Sequence, residues 1–111
     1  MMTTVPEAEI LQLHAEICAG LADPKRIMIL YELMSQPRTV TELVGILGLS
    51  QPQISKHMKV LRDRGMVTAL RQGASVLYSL GDPRLIQALD LLRAVLRESL
   101  ARRAGLIEQL M

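Results

Sequence analysis

Two capped helix starts lie close together in the middle of the chain, and they restrict the fold more than any other feature. Thr39 with Glu42, and Ser50 with Gln53, have the spacing of capping boxes, in which two side chains satisfy each other's backbone N–H groups. Between them, Gly48 tolerates the left-handed conformation that ends a helix. Only three residues, beginning with Gly48, connect the first of these helices to the second. Such a short glycine-containing connection is typical of a helix-turn-helix.

The second of these helices, within residues 50–65, has an apolar side and a polar side. Ile54, Met58 and Leu61 recur at three- and four-residue steps, which predicts one face packed against the protein. The polar residues of its first turn, sides and front are Gln51, Gln53, Ser55, Lys56 and Lys59. His57 lies at the edge of the apolar stripe, and we expect it to be partly buried and structural rather than a base contact.

Two further helices are predicted before this pair. Thr4 and Glu7 resemble a capping box that opens a first helix ending near Leu21. Asp23-Pro24 supplies an N-cap and a first-turn proline for a second helix, which reaches about Met34.

The hydrophobic period changes after Gly65. Residues 66–71 and 75–80 are short, rich in strand-forming residues and joined by residues 72–74, which predicts a β-hairpin. Asp82-Pro83 then opens a long last helix. The predicted fold class is therefore mainly α with a small β-hairpin, in the order α-α-α-α-β-β-α.

Length and composition favour a single helical domain over residues 1–111. Half of the 111 residues are apolar but only two are aromatic, so the core must be built from aliphatic residues and methionine. No apolar run reaches the roughly 18 residues needed to span a bilayer. The N-terminus is acidic, unlike that of a signal peptide. We expect a cytoplasmic protein without a membrane segment, and its one cysteine cannot form an internal disulfide.

Charge is segregated along the chain. Residues 1–50 carry three basic and six acidic residues, a net charge of −3, whereas residues 51–80 carry five basic residues and one acid, a net charge of +4. The remaining residues have a net charge of +1. A basic block on the segment with the polar helix face is what phosphate neutralisation requires, although a solvated helix face has a similar composition.

Several motifs resemble those of the ArsR/SmtB family of bacterial transcriptional repressors. They are Leu21-Ala22-Asp23-Pro24-Lys25-Arg26, Leu49-Ser50-Gln51-Pro52 with Ser55-Lys56-His57 and Leu61, and Arg71-Gln72-Gly73 with Tyr78-Ser79-Leu80. The resemblance covers nearly the whole chain. It implies a dimeric winged helix-turn-helix, with residues 50–65 as the recognition helix and the hairpin as the wing. The implied function is sequence-specific DNA binding that represses transcription.

The chemistry of the polar side chains suggests how such a helix reads DNA. Gln51 and Gln53 can donate and accept at once, as bidentate adenine readout requires, whereas Ser55 and Lys56 lie where the same face meets base edges or phosphates. Lys59 lies further along the helix, toward phosphate. The predicted DNA-binding residues are Thr41, Ser50, Gln51, Gln53, Ser55, Lys56, Lys59, Arg62, Arg71, Gln72 and Ser75.

The last helix carries an apolar stripe that is long for one small domain. The stripe consists of Leu85, Leu89, Leu92, Leu96 and Leu100, joined by Ile86 and Val95. The resemblance implies a homodimer in which the first and last helices form the interface, so that two recognition helices enter successive major grooves of a palindromic operator. Leu13 and Ile17 are the predicted contributors from the first helix. A simpler interpretation makes the stripe part of the core.

The metal sites typical of the family are not evident. Metal-sensing members usually carry a Cys-x-Cys pair on the first helix of the helix-turn-helix, where this chain has residues 39–43 without cysteine. Others use carboxylates and histidines of the last helix, but that helix offers Asp90, Glu98 and Glu108 without histidine. Zinc prefers nitrogen or sulfur ligands, so we expect neither metal site and no cofactor.

His14 and Cys18 remain as a candidate sensor, because they are four residues apart on one face of the first helix. They are either structural residues, ligands of a metal ion shared across the dimer axis, or the site of thiol oxidation. Glu16 nearby disfavours a reactive thiol. The effector is thus left open among redox, a small molecule, a partner protein and none.

Two other functional classes compete with DNA binding. An enzyme is not expected, because the chain has no paired-carboxylate motif, no glycine-rich phosphate loop and no oriented cysteine-histidine pair. The alternative function is a winged-helix protein-interaction module, since this fold by itself does not require DNA binding. The basic stretch from Lys56 to Arg71 argues for DNA.

Overall fold

Five helices and one β-hairpin follow one another in the predicted order within residues 4–110, which are the residues that this computed structural model describes. The predicted domain 1–111 includes residues 1–3 and 111, which lie outside the described residues. The elements after the first helix are α2 (Pro24–Ser35), α3 (Val40–Leu47), α4 (Gln51–Asp63), β1 (Val67–Gln72), β2 (Ser75–Leu80) and α5 (Arg84–Leu110). The mainly helical fold with a small hairpin is confirmed. Among the described residues, no helix has both the length and the apolarity needed to cross a membrane.

The first helix, α1, consists of three consecutive parts. Glu7–Gln12 is α-helical, Leu13–Cys18 is π-helical and Ala19–Leu21 is α-helical. Its end near Leu21 is as predicted, but the predicted capping box at Thr4 is wrong. Extended Pro6 takes the N-cap position, and none of the described side chains caps this helix. Thr4 therefore precedes the cap by two residues and does not take part in it.

Side-chain caps start α2 and α3 as the sequence predicts. The Asp23 carboxylate accepts a hydrogen bond from the Lys25 backbone N–H at 2.8 Å. In α3 the capping box is complete, because Thr39 N donates to Glu42 Oε1 at 3.1 Å and Glu42 N donates to Thr39 Oγ1 at 3.2 Å. Gly48 has a φ of 68° and ends this helix in the left-handed conformation. These local contacts fix the entry into the helix-turn-helix.

The hairpin turn is one residue shorter than predicted. Strands β1 and β2 pair antiparallel from Val67 opposite Leu80 to Gln72 opposite Ser75, so only Gly73-Ala74 forms the turn. The first strand begins and ends one residue later than expected. Gly73 has a φ of 61°, which is what a two-residue turn with glycine at its first position requires.

A contact that the sequence did not predict ties the hairpin to the helices. Arg38 N donates to Tyr78 O at 3.0 Å, and Tyr78 N donates to Arg38 O at 2.8 Å. The connection between α2 and α3 thus pairs with the edge of β2 that faces away from β1. This bridge fixes the wing against the helix-turn-helix.

The core is formed by the apolar faces of α2 to α5 together with the start of β1. Its buried members are Ile29, Leu30, Leu33, Leu43, Ile54, Met58, Leu61, Met66, Val67, Ile86 and Leu89. The predicted rear face of α4 is confirmed, since Ile54, Met58 and Leu61 are all 0% exposed. By contrast, α1 lies on the outside of this core, and its Ile17 and Leu21 pack against it only partly buried.

The last helix has a core part and an exposed part. Leu89 is 4% exposed and belongs to the protomer's own core, so its assignment to a dimer interface is wrong. Leu85 is half-buried against the same core. Further along, Leu92, Leu96 and Leu100 are 60%, 54% and 48% exposed. A helix of 27 residues is about 40 Å long, and its second half extends beyond the core.

Gly81 joins the hairpin to the last helix at a close backbone contact, and we predict that G81A is destabilising. A Cβ on Gly81 would lie 2.6 Å from the carbonyl oxygen of Gly65 and 3.0 Å from that of Met66. Backbone cannot easily move aside, so we expect the free energy of unfolding to fall by about 1–3 kcal/mol in urea denaturation.

The matched control is G45A, within α3. A Cβ on Gly45 meets no atom within 4 Å, and alanine is the better helix former by roughly 0.5–1 kcal/mol. This variant should be at least as stable as the wild type. Equal stability of the two variants would contradict the packing described for Gly81.

Candidate nucleic-acid interface

The start of α4 is held by a complete capping box that occupies two predicted DNA-binding residues. Ser50 N and Ser50 Oγ donate to Gln53 Oε1 at 3.0 and 3.1 Å, and Gln53 N donates to Ser50 Oγ at 3.3 Å. Bidentate adenine readout needs the amide oxygen of Gln53, which the cap already uses. The capping box predicted for Ser50 and Gln53 is confirmed, and it leaves the Gln53 oxygen occupied; the DNA contact of Ser50 stays a prediction.

The polar front of α4 is exposed, as the sequence predicts. Gln51, Ser55 and Lys56 are solvent-exposed, whereas the side chains on the opposite face are fully buried. A helix with this arrangement offers donors and acceptors without disturbing its own packing. Recognition helices contact base edges with their N-terminal residues, which is where these three lie.

Two basic residues lie further along α4. Lys59 Nζ is 2.8 Å from Asp63 Oδ2, and both side chains are mainly exposed, at 76% and 61%. The Lys59 hydrogen bond holds the pKa of the Asp63 carboxyl below its ordinary value. Such exposed pairs contribute little to stability, so a phosphate can replace the carboxylate. Arg62 is exposed beside this pair.

The remaining predicted contacts belong to α3 and to the hairpin tip. Thr41 is exposed in the first turn of α3. Gln72 and Ser75 face each other across the two-residue turn, next to exposed Arg71. The tip thus carries three polar side chains, one of them cationic, on a tight turn.

His57 belongs to the packed side of α4, where Arg26 holds it. It is half-buried, and its Nδ1 accepts a hydrogen bond from Arg26 Nη1 at 3.4 Å. The same guanidinium donates to the carbonyl oxygens of Gly20 at 2.8 Å and Ala19 at 3.1 Å. The structural role predicted for His57 agrees with these contacts.

Arg64 is a further residue to which sequence reasoning gave no role. Its Nη1 donates to the carbonyl oxygen of Ala15 at 2.6 Å and to that of Glu16 at 3.3 Å. A basic residue at a helix C-terminus normally signals only a favourable interaction with the helix dipole. The acceptors are 49 and 48 residues away in the sequence, so no local pattern reveals this contact.

Comparisons with known proteins agree with this geometry. Residues 23–69 match the family described as "Bacterial regulatory protein, arsR family". Over 100 residues the chain is 37% identical to the HTH-type transcriptional regulator Rv0081 of Mycobacterium tuberculosis, a match that covers 89% of this chain and 88% of that protein. The chain belongs to the arsR family.

The fold of this chain also resembles those of solved structures. The crystal structure of Rv0081 superimposes with a TM-score of 0.76 at 35% identity and covers 91% of this chain and 99% of that one. The solution structure of Mb0332 from Mycobacterium bovis, described as a homodimeric winged helix-turn-helix DNA-binding domain, has a TM-score of 0.75 at 24% identity, with 91% and 95% covered. The winged helix-turn-helix fold is confirmed.

Another relative is named as a repressor. The HTH-type transcriptional repressor SmtB of Mycobacterium tuberculosis is 44% identical over 80 residues, which are 72% of this arsR-family chain but only 59% of SmtB. The chain thus spans less than two thirds of that relative. The relatives described here are named as regulators or a repressor, in agreement with the prediction that the chain is not an enzyme.

The candidate sensor residues of this arsR-family chain lie on the π-helical part of α1. His14 and Cys18 are both exposed there. Within residues 4–110, the structure brings no three His, Cys, Asp or Glu side chains together in a group that could hold a metal ion. A sensing role for His14 and Cys18 stays a prediction.

The contact between Arg26 and His57 predicts a pH dependence of stability. Burial lowers the pKa of the His57 imidazole, and the charge of Arg26 adds to this effect against the opposite influence of Asp23. The unfolded chain therefore takes up a proton at higher pH than the folded chain. The neutral His57 imidazole therefore stabilises the folded chain fully above its ordinary pKa. This contribution to the free energy of unfolding is lost as the pH falls from there through the lowered pKa of the folded chain.

We expect urea denaturation between about pH 5 and pH 8 to reveal this loss in the wild type. The H57Q variant should lack that part of the pH dependence. The H14Q variant, which removes an exposed imidazole, should retain it. Identical pH profiles of H57Q and the wild type would refute the assignment.

Proposed function

We propose that this chain is a sequence-specific DNA-binding repressor that acts as a homodimer on a palindromic operator. The observation that carries the proposal is the two-sided α4, whose rear face is fully buried while Gln51, Ser55 and Lys56 are exposed on its capped N-terminal half. The family is bacterial, and bacterial DNA lies in the cytoplasm, so the proposed location is the cytoplasm.

The side chains of α4 have different roles in the proposed complex. Gln51 reads a base edge, because its amide offers a donor and an acceptor at once. Ser55 and Lys56 contact base edges or the adjoining phosphates from the same exposed front. Lys59 and Arg62 neutralise phosphates, which adds affinity and salt dependence without sequence preference.

The α3 residue and the hairpin tip complete the proposed interface. The Thr41 hydroxyl donates to a phosphate from the first turn of α3. Arg71, Gln72 and Ser75 approach the minor groove or the backbone from the turn of the wing. The bridge between Arg38 and Tyr78 supports this role, because it fixes the wing relative to α3.

The proposed dimer buries apolar residues of α1 and α5 that the protomer leaves exposed. On α5 these include Leu92, Leu96 and Leu100, and on α1 they include Leu13, at 47% exposure. Ile17, the other predicted contributor from α1, is half-buried against the core. A two-fold axis brings the same apolar surface of two copies together, which is the commonest arrangement of soluble homodimers. The homodimeric description of Mb0332 supports this arrangement.

The proposed effector is not a metal bound at the sites usual in the family. The segment 39–43 contains no cysteine, and the chain's two histidines, His14 and His57, both lie outside the last helix. The effector stays open among redox agents, small molecules, a partner protein and none, and His14 with Cys18 stays the alternative pair of ligands for a metal ion shared across the dimer axis.

The proposal is tested by measuring the binding of the purified protein to the DNA upstream of its own gene. Specific binding should weaken steeply between low and moderate salt, because phosphate contacts release counterions. The titration is repeated with zinc, a chelator, a reductant and a mild thiol oxidant to find the effector class. An absence of specific binding at low salt would favour the protein-interaction module instead.

We predict that the double variant Q51A/K56A loses specific DNA binding while its fold and dimer stay intact. The bidentate amide contact contributes about 1–3 kcal/mol of discrimination, so specific affinity should fall roughly 100-fold toward that of unrelated DNA. Fluorescence anisotropy with operator and scrambled duplexes measures the difference. The control Q87A/R97A removes an exposed amide and a positive charge from α5 and should bind as the wild type does.

We also predict that L92E/L96E converts the dimer to a monomer. In a dimer, glutamates on this apolar surface would be buried without a partner, which is unfavourable. The resulting monomer contacts only one half-site and should bind the operator about 100-fold more weakly than the dimer. Sedimentation equilibrium and anisotropy measure the two effects. The control M34E alters a side chain of similar exposure, 55%, on α2. A dimeric L92E/L96E variant, or a monomeric wild type, would defeat the proposed interface.

A further inference from the structure

Arg64, at the C-terminal end of α4, binds α1 through backbone carbonyls. Its guanidinium donates to the Ala15 and Glu16 carbonyl oxygens at 2.6 and 3.3 Å. The π-helical part of α1 makes the first of these carbonyls available. The N–H of Ala19, which would bond Ala15 in an α-helix, donates to the His14 carbonyl instead.

The stem of Arg64 packs against the same helix. Gly20 of α1 is buried, and a Cβ at this position would lie 3.1 Å from Arg64 Cδ and 2.5 Å from Met66 Sδ. Because glycine has no Cβ, α1 can come this close to the end of α4. Arg64 therefore contacts α1 with both its aliphatic stem and its charged head.

A second arginine joins α1 to α4 at a different place. Arg26 donates to the Ala19 and Gly20 carbonyls of α1 and also to His57 of α4. Two guanidinium groups thus bridge α1 and α4, one at His57 in the middle of α4 and one at its C-terminal end. Together they restrict both the distance and the angle between the two helices.

We infer that Arg64 is a positioning residue for DNA recognition, an inference that rests on the proposed function. It couples α4, which reads the DNA, to α1, which contributes to the proposed dimer interface. Two recognition helices must lie about 34 Å apart to enter successive major grooves. The angle between α1 and α4 within each protomer sets that spacing, so a loosened Arg64 contact misplaces both α4 helices without removing a DNA contact.

Arg62, two residues earlier, provides a matched comparison. It is exposed on α4 and is assigned to phosphate, whereas the guanidinium of Arg64 is directed at α1. The two roles predict different salt dependences. Affinity falls as salt rises, and each lost phosphate contact makes the plot of log affinity against log salt less steep by about one. Loss of a positioning contact lowers the affinity but leaves the steepness of this plot unchanged.

The experiment compares R64A, R64K and R62A in operator binding at several salt concentrations. R64A should weaken binding about tenfold, because a loosened contact misplaces α4, while the slope stays that of the wild type because every phosphate contact is retained. R62A should reduce the slope. R64K should recover part of the affinity, because an ammonium group can still donate to the Ala15 carbonyl.

Backbone amide exchange provides a readout without DNA. R64A should speed exchange in residues 15–20 of α1, while R62A should leave it unchanged. Circular dichroism verifies that each variant is folded, and R64K takes the place of R64A in the comparison if the alanine variant unfolds.

The outcomes separate the two proposals. Wild-type affinity in R64A, or a slope reduced as in R62A, would overturn the positioning role while leaving the proposed function intact. A wild-type protein without specific DNA binding would overturn the proposed function and this role with it, whereas the exchange data would still report the contact between Arg64 and α1.

Discussion

The Arg26 guanidinium holds together three parts of the molecule on which the rest of the structure depends. The last carbonyls of a helix lack the usual partners within that helix. At the end of α1, Arg26 donates to those of Ala19 and Gly20, and the Ala19 carbonyl also accepts from the Ala22 N–H. It projects from the start of α2, where Asp23 provides the cap and lies 3.8 Å from its Nη1. Its bond to His57 extends the same network to α4. The contact between the end of α1 and the start of α2 and the contact of α2 with α4 therefore share one side chain.

Features that depend on neighbouring residues could be predicted from the sequence. The capping boxes of α3 and α4, the proline start of α2, and Gly48 all act over three or four residues, and the structure confirms them. The rear face of α4 followed from periodicity because burial repeats with the helix turn. Where a local pattern was not decisive, as at Thr4, the prediction failed.

Features that depend on tertiary packing could not be predicted in this way. The Arg64 contact spans 49 residues, and the pairing of Arg38 with Tyr78 joins an irregular connection to a strand edge. Periodicity also could not separate Leu89 from Leu96, because a core and an interface require the same spacing along a helix. Only the position where α5 leaves the core distinguishes the two. In the same way, the sequence placed Gln53 in both a cap and a DNA contact, and the structure shows its oxygen accepting two hydrogen bonds from Ser50.

The separation of α4 into a buried rear and an exposed front also affects how such a protein diverges. Ile54, Met58 and Leu61 are fully enclosed, so substitutions there act on folding. Substitutions at Gln51, Ser55 and Lys56 act on surface side chains and leave that packing untouched, and surface changes typically alter stability by less than about 0.5 kcal/mol. Under the proposed function, a duplicated copy of this chain can therefore acquire a new target sequence through a few front-face substitutions, without any compensating change in its core.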